Sequence, residues 1–185
     1  MQNSRGIGAA ALVLAAACSG PLGPGGEKMP TEPAPPALAE SGVVESVTGG
    51  GQFVHPDFGT VTFSFVANRL ADGRVTGRFQ QHQPAFGVTY QGDVTCFTVD
   101  PVNHRAWIGG VLTQSNDPDP IAQVGKDAWF RVLDQSGRSS GDRSTFLGFE
   151  GGGGILTSAE YCQAQIWPEG NARTWPVEQG TIVIH

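Results

Sequence analysis

The chain has few cysteines, little charge of either sign and no apolar run long enough to cross a bilayer. Three cysteines in 185 residues exclude a scaffold stapled mainly by disulfides. Lysine and arginine total 11 against 17 acidic residues, for a net charge of −6. Without a basic stripe, nucleic acid is not an expected partner. The longest apolar run, Ile7–Ala17, is eleven residues, where a membrane-spanning helix needs about 20. No window carries a convincing helical stripe. His55, His82, His104 and His185 are scattered, so no metal site and no cofactor is expected, and these histidines read as surface or turn residues. What the chain does have is glycine and proline, 27 and 13 residues, and many short alternating segments.

The N-terminal segment reads as an export signal. Arg5 precedes the apolar run, and no acidic residue occurs before Glu27. Ala15-Ala16-Ala17-Cys18-Ser19 resembles the lipobox of bacterial lipoproteins, although Leu14 stands one position earlier than usual. The resemblance implies cleavage after residue 17, lipidation of Cys18 and attachment to a membrane of the cell envelope. That membrane would be the outer one if the cell has one. Two or more acyl chains hold a protein firmly at a bilayer, where one does not. The alternative is plain secretion after an A-x-A site. Residues 18–42, with Pro21, Pro24, Pro30, Pro33, Pro35 and Pro36, lack apolar periodicity and read as a disordered tether.

Val43–His185, 143 residues, suffice for one domain with a real core, and the pattern is all-β. In Thr60–Ala67 the residues Val61, Phe63 and Phe65 share one face, while Thr60, Thr62 and Ser64 share the other; that is period two. Asp72-Gly73 reads as a hairpin turn, followed by Arg74–Gln80 with Val75, Gly77 and Phe79 inward. In Val88–Cys96 the even positions are apolar, and Phe97 and Val99 shift to odd ones, which predicts a bulge near Cys96–Phe97. Asp100–Asn103 makes the next turn. Further strands are read at 106–114, 128–133, 145–149, 155–158, 161–166 and 180–184. The expected architecture is a single antiparallel β-barrel, with a β-sandwich as the alternative. The glycines at 49–51, 109–110 and 151–154 read as bends and corners. With Cys18 lipidated, Cys96 and Cys162 remain to pair in an oxidising compartment, across two strand-like segments.

Val47-Thr48-Gly49-Gly50-Gly51-Gln52-Phe53, Gly59–Phe65, Gly92–Cys96, Ala106–Gly110 and the closing Gly180–His185 resemble a family of exported bacterial β domains that open with V-T-G-G-G. The resemblance covers nearly all of 43–185. Its motifs are turn glycines and core strands, so it implies a fold and carries over no catalytic or binding residue. Where the family has Asn-Gly-Glu after its V-x-D strand, this chain has Gln135-Ser136-Gly137.

Candidate chemistry is thin. Gly137-Arg138-Ser139-Ser140-Gly141 matches G-x-S-x-G, but no helix follows it and the one later histidine is the last residue, so it reads as a polar loop. Acidic residues around Asp117 and Asp119, and Asp134, Asp142 and Glu150, offer loop oxygens of the kind calcium uses, though solvated turns explain them better. Trp167 and Trp175 flank a loop and are the best exposed aromatic candidates for ligand binding. The expected function is a non-catalytic, lipid-anchored envelope domain that binds an envelope protein, a glycan or a small apolar ligand, or that serves as a structural surface component. A small-ligand carrier barrel is the alternative. A cyclase- or isomerase-like barrel enzyme, built on a cluster such as Glu150 with Tyr90 or His104, is the more distant one.

Overall fold

A single antiparallel sheet curls on itself into an open half-barrel. The computed structural model describes residues 42–135, 141–151 and 154–185; the signal segment, Cys18, most of the tether and Ser139 lie outside them. The strands are β1 (Val43–His55), β2 (Gly59–Leu70), β3 (Val75–Gln83), β4 (Val88–Asp100), β5 (Arg105–Ser115), β6 (Asp127–Leu133), β7 (Arg143–Ser144), β8 (Gly148–Phe149), β9 (Trp175–Pro176) and β10 (Gln179–Ile184). Their order is β10-β1-β2-β3-β4-β5-β6-β7-β9, with β8 also paired to β6. Among the described residues the ladder is open, so the expected antiparallel β architecture is present as a half-barrel, without the closure of a complete barrel or the second sheet of a sandwich.

Alternation builds the concave face. Val61, Phe63, Phe65 and Ala67 of β2 are buried, as are Phe79 of β3 and Tyr90 and Val94 of β4. Phe65 and Phe79 meet Phe130 of β6 across the curl, with ring centroids 5.1 and 5.8 Å apart. The bulge falls where the pattern predicts it: β4 slips register between Val94 and Cys96. The extra residue returns Phe97 to the core and leaves Cys96 on the convex face.

The glycines of β1 are not a corner. Gly49 lies mid-strand opposite Phe65, and a Cβ there would stand 2.6 Å from the Phe65 ring. The missing side chain is what lets the aromatic ring lie across the neighbouring strand. Gly109 and Gly110 are likewise inside β5.

β5 and β6 are covered on both faces, which explains their near-continuous apolar runs. Ala106, Ile108, Phe130 and Val132 face the concave core. Trp107 and Trp129 face a second cluster with Tyr161 beneath a helix, α1 (Ser158–Ala164). This helix replaces the strands expected at 155–158 and 161–166. Thr157 caps it, its side chain accepting from the Glu160 amide while the Glu160 carboxylate accepts from the Thr157 amide, a reciprocal capping box. Cys162 therefore lies on a helix, not a strand, and bonds Cys96 with Cα atoms 6.3 Å apart. Gly109 admits this close approach: a Cβ there would lie 2.7 Å from Ser158 Cβ and 3.0 Å from Cys96 Sγ.

Polar side chains span the places where the ladder fails. The edge amides of Ile182 and Ile184 in β10 donate to Asp142 Oδ2 and Asp134 Oδ2, at 2.8 and 3.1 Å. Between β7 and β8 the chain leaves β6. There the buried Gln81 of β3 reaches over the concave core, donating to Thr145 O at 3.0 Å and accepting from Leu147 N at 3.1 Å. One amide side chain thus serves as a short piece of ladder for two buried backbone groups, Thr145 O also accepting from Ser144 Oγ at 3.4 Å.

Candidate functional site

The convex side of β6 carries a cavity of about 320 Å³, lined by Trp129, Arg131, Thr145, Phe146, Leu147, Gly148, Tyr161, Arg173 and Trp175. Strand alternation places Trp129 and Arg131 on its floor, since both point away from the concave core. Tyr161 comes from α1 and stacks on Trp129, with centroids 5.6 Å apart and planes at 21°. Trp175 is the far wall, backed by Phe53 at 5.8 Å and His55 at 4.3 Å.

The segment 166–174 completes the site and hangs on the sheet by side-chain bonds. Trp107 Nε1 donates to Ile166 O at 2.9 Å and Arg131 Nη2 donates to Ala172 O at 2.9 Å. Arg143 donates to Thr174 Oγ1 and Thr174 O, at 2.7 and 2.6 Å. The turn is sharp: Asn171 and Arg173 both take positive φ, 58° and 59°. Asn tolerates that conformation because its short polar side chain bonds locally; here its Oδ1 accepts from Trp167 Nε1 at 2.9 Å. Arg173 lacks that excuse, and it stands at the cavity.

The electrostatics are one-sided. The ion pairs among the described residues join Arg69 to Glu45, Arg74 to Asp72, Arg78 to Asp93 and Lys126 to Glu150. None involves Arg105, Arg131, Arg143 or Arg173, which gather around this segment. Arg105 and Arg131 lie 4.7 and 5.5 Å from the Trp167 ring centroid, a cation–π clamp. Their Nε atoms are buried and have no hydrogen-bond partner. Burial pushes the Tyr161 phenol up to about 12 despite the nearby Arg131, so at neutral pH it is an O–H donor and not an anion. Among the described residues no carboxylate or imidazole lines the cavity.

The two tryptophans singled out from the sequence separate. Trp175 borders the cavity and packs against the concave core; Trp167 belongs to the convex cluster and supports Arg131 from behind. Both are half-buried, so they do not form one exposed aromatic face. Trp129, Tyr161, Arg131 and Arg173 were not legible as a group, because three separate stretches of chain supply them.

The other candidates have structural occupations. His55 is a core residue, not a surface one: it is 8% exposed, stacked 4.4 Å from Phe58, and its Nδ1 accepts from the Asp57 amide. His82 Nδ1 bonds Thr89, and His104 sits exposed in the β4–β5 turn. Asp117 accepts the Tyr90 hydroxyl, and Asp119 caps the short 3-10 turn Pro120–Ala122. Burial and Asp117 push the Tyr90 phenol upward. Glu150 pairs with Lys126, while the Tyr90 hydroxyl is taken by Asp117. Among the described residues no group of three or more His, Cys, Asp or Glu side chains could hold a metal ion. No helix among them is long and apolar enough to cross a membrane. Comparison of the chain with protein-family models, with curated proteins and with solved structures finds no match.

Proposed function

We propose that this chain is a lipid-anchored, non-catalytic binding domain of the bacterial cell envelope. Cys18 carries the anchor and residues 18–42 form the tether. The half-barrel presents the cavity between β6, α1 and residues 173–175 to a ligand. The observation that carries the binding role is that Arg131 and Arg173, neither in an ion pair among the described residues, line an aromatic-walled cavity in a chain whose net charge is −6. Like charges brought together in a fold are a cost, and a bound anion would offset it. The described lining holds its phenol protonated and contains arginines in place of carboxylates, which suits holding an anion. The concave interior between Phe63, Phe65, Phe79 and Phe130 has no water-sized space, which favours this outer cavity over a carrier site inside the barrel.

Two measurements test the reading. Expression with radiolabelled palmitate should label the wild-type chain and not Cys18→Ser, and detergent phase separation should move the variant to the aqueous phase. Absence of label would leave a secreted domain in place of an anchored one. Co-sedimentation of the mature protein with isolated, protein-stripped bacterial envelopes should be saturable and weakened by Arg173→Glu. Sedimentation unchanged by that variant would remove the cavity from the reading.

A further inference from the structure

We infer that the cavity recognises a carboxylate carried on a pyranose or benzene ring, and that Arg131 and Arg173 are its specificity-determining residues. This rests on the binding role proposed above and names the chemistry of its ligand. The aromatic walls, Trp129, Tyr161 and Trp175, are side chains against which a flat or partly apolar ring packs. At about 320 Å³ the cavity sits near the small end of ligand sites, about 300–1,000 Å³, which suits a ring or two and not a folded partner.

Charge selects an anion, and geometry selects a planar one. A guanidinium presents its donors as a flat fork that matches a carboxylate bidentately. Arg131 Nη2 donates to Ala172 O, its guanidinium lies beside the Tyr161 phenol, and it is held in place by Trp167 behind it. A cation already fixed by stacking loses little further freedom on meeting an anion. Arg173 is exposed, makes no ion pair and is set at the cavity by its left-handed backbone. Thr145 and Tyr161 add hydroxyls, the latter as a donor.

An extended peptide fits less well. Adding a strand requires free backbone groups, and at this level β6 has none to give. Arg131 N donates to Thr145 Oγ1 at 3.1 Å, and Arg131 O accepts from Thr145 N at 3.1 Å.

The test uses the mature full-length protein in detergent, titrated with a galacturonic acid oligomer, its fully methyl-esterified form, and benzoate. Readouts are calorimetry and the indole N–H resonances of Trp129 and Trp175. The acid oligomer should bind and shift both resonances. Esterification should weaken binding by about tenfold or more, and Arg173→Gln by about tenfold, the scale of one charge-assisted hydrogen bond. Arg131→Lys should weaken it severalfold by keeping charge and losing the fork. Arg173 is exposed and forms no ion pair among the described residues, so its variant tests the site without threatening the fold. Binding of benzoate with the same Arg173 dependence supports the shared chemistry and points to an aromatic source; binding of the uronate alone points to an acidic glycan. Equal binding of acid and ester overturns the inference and leaves a neutral-ring site, with the binding role intact. No resonance shift with any probe also overturns it, and the envelope sedimentation above then decides the binding role separately. Uronate binding that Arg173→Gln leaves unchanged places the ligand elsewhere and overturns the assignment.

Discussion

The wall β1–β5 and the layer formed by residues 141–151 and 154–176 obey different rules. The wall is long strands whose alternation buries one face: Val47, Phe53, Val61, Phe63, Phe65, Phe79 and Tyr90 line a common interior. It needs few specific polar contacts, because hydrophobic burial is non-directional and the register follows from the pattern. The layer is two-residue strands, a seven-residue helix and a turn with left-handed backbone. It cannot stand on its own ladder. It is tied down by a disulfide, by Gln81, by Asp142 and by arginine bonds to main-chain carbonyls. Burial built the wall, and particular bonds built the layer that carries the cavity. Removing a tie should therefore loosen the layer and spare the wall.

The largest expected effect is removal of the covalent tie. Cys96→Ala with Cys162→Ala opens a loop of 66 residues, worth up to about 4 kcal/mol by the chain-entropy model. Urea denaturation should show the loss. Hydrogen exchange should show α1 and 166–174 opening before β2 and β3. Equal acceleration in both regions would mean that wall and layer are one cooperative unit.

Next comes Gln81→Leu, which keeps apolar volume and removes both ends of the bridge. Thr145 O and Leu147 N would each lose a partner while buried, for a total of about 2–4 kcal/mol. Gln81→Glu offers an acceptor for Leu147 N and, when ionised, no donor for Thr145 O. It should be no better than Leu at neutral pH and improve in acid. A Gln81→Leu chain as stable as wild type would show that residues 145–147 re-pair with β6.

These contrasts explain what the sequence disclosed. Period-two segments at 60–67 and 88–96 are read correctly because each side chain's face is decided locally, and the bulge shows as a change of parity at Phe97. β1 escapes notice because Gly49, Gly50 and Gly51 imitate a turn. Their reason is the Phe65 ring on the adjacent strand, which one-dimensional reading cannot place. α1 reads as strand although Thr157-Ser158-Ala159-Glu160 spells a capping box, because a helix of two turns is too short for a clear apolar period. The cavity was legible only through Trp175. Arg131 reads as one polar position on a strand, and nothing near Arg173 announces that its backbone turns left-handed.

A smaller effect is expected at the β10 edge. Asp142→Ala frees the amides of Ile182 and Gln135, which the two carboxylate oxygens now accept at 2.8 and 2.9 Å. The cost should be about 1–3 kcal/mol, and Asp142→Asn, which keeps one carbonyl oxygen, should lose less. Exchange of the Ile182 amide locates the effect. Slow exchange at that amide in the alanine variant would mean that the half-barrel closes its ladder without Asp142.

Arg173 offers a gain. A left-handed conformation costs a residue with a side chain about 1–2 kcal/mol, which glycine does not bear. Arg173→Gly should therefore be up to about 1 kcal/mol more stable than Arg173→Ala, part of the relief being lost to the freer unfolded chain. Both variants should bind the acidic ligand about tenfold more weakly, as Arg173→Gln does. A residue with a side chain at a position where glycine is less strained points to a role for that side chain beyond stability. If the glycine variant is no more stable than the alanine one, the turn is not strained.

The smallest expected effect is a slope with pH, and it lies where layer and wall meet. His55 at the end of β1 packs against Phe58 of the β1–β2 turn, and against Phe146 and Trp175 of the layer. Burial lowers its pKa from the ordinary value near 6.5, partly countered by the Asp57 charge. The unfolded chain therefore binds this proton more readily than the folded one. Stability from a neutral His55 is fully present above 6.5 and is lost as pH falls below it. Protonation also costs the Nδ1 acceptor that the Asp57 amide now uses. His55→Phe should flatten stability between pH 7 and pH 5 (roughly the window of an unperturbed imidazole), measured by urea midpoints at each pH. If the slope survives the substitution unchanged, another group sets it. If it disappears, Trp175 fluorescence in the wild type should follow the same titration, because the ring that loses its neutral neighbour is the cavity wall itself.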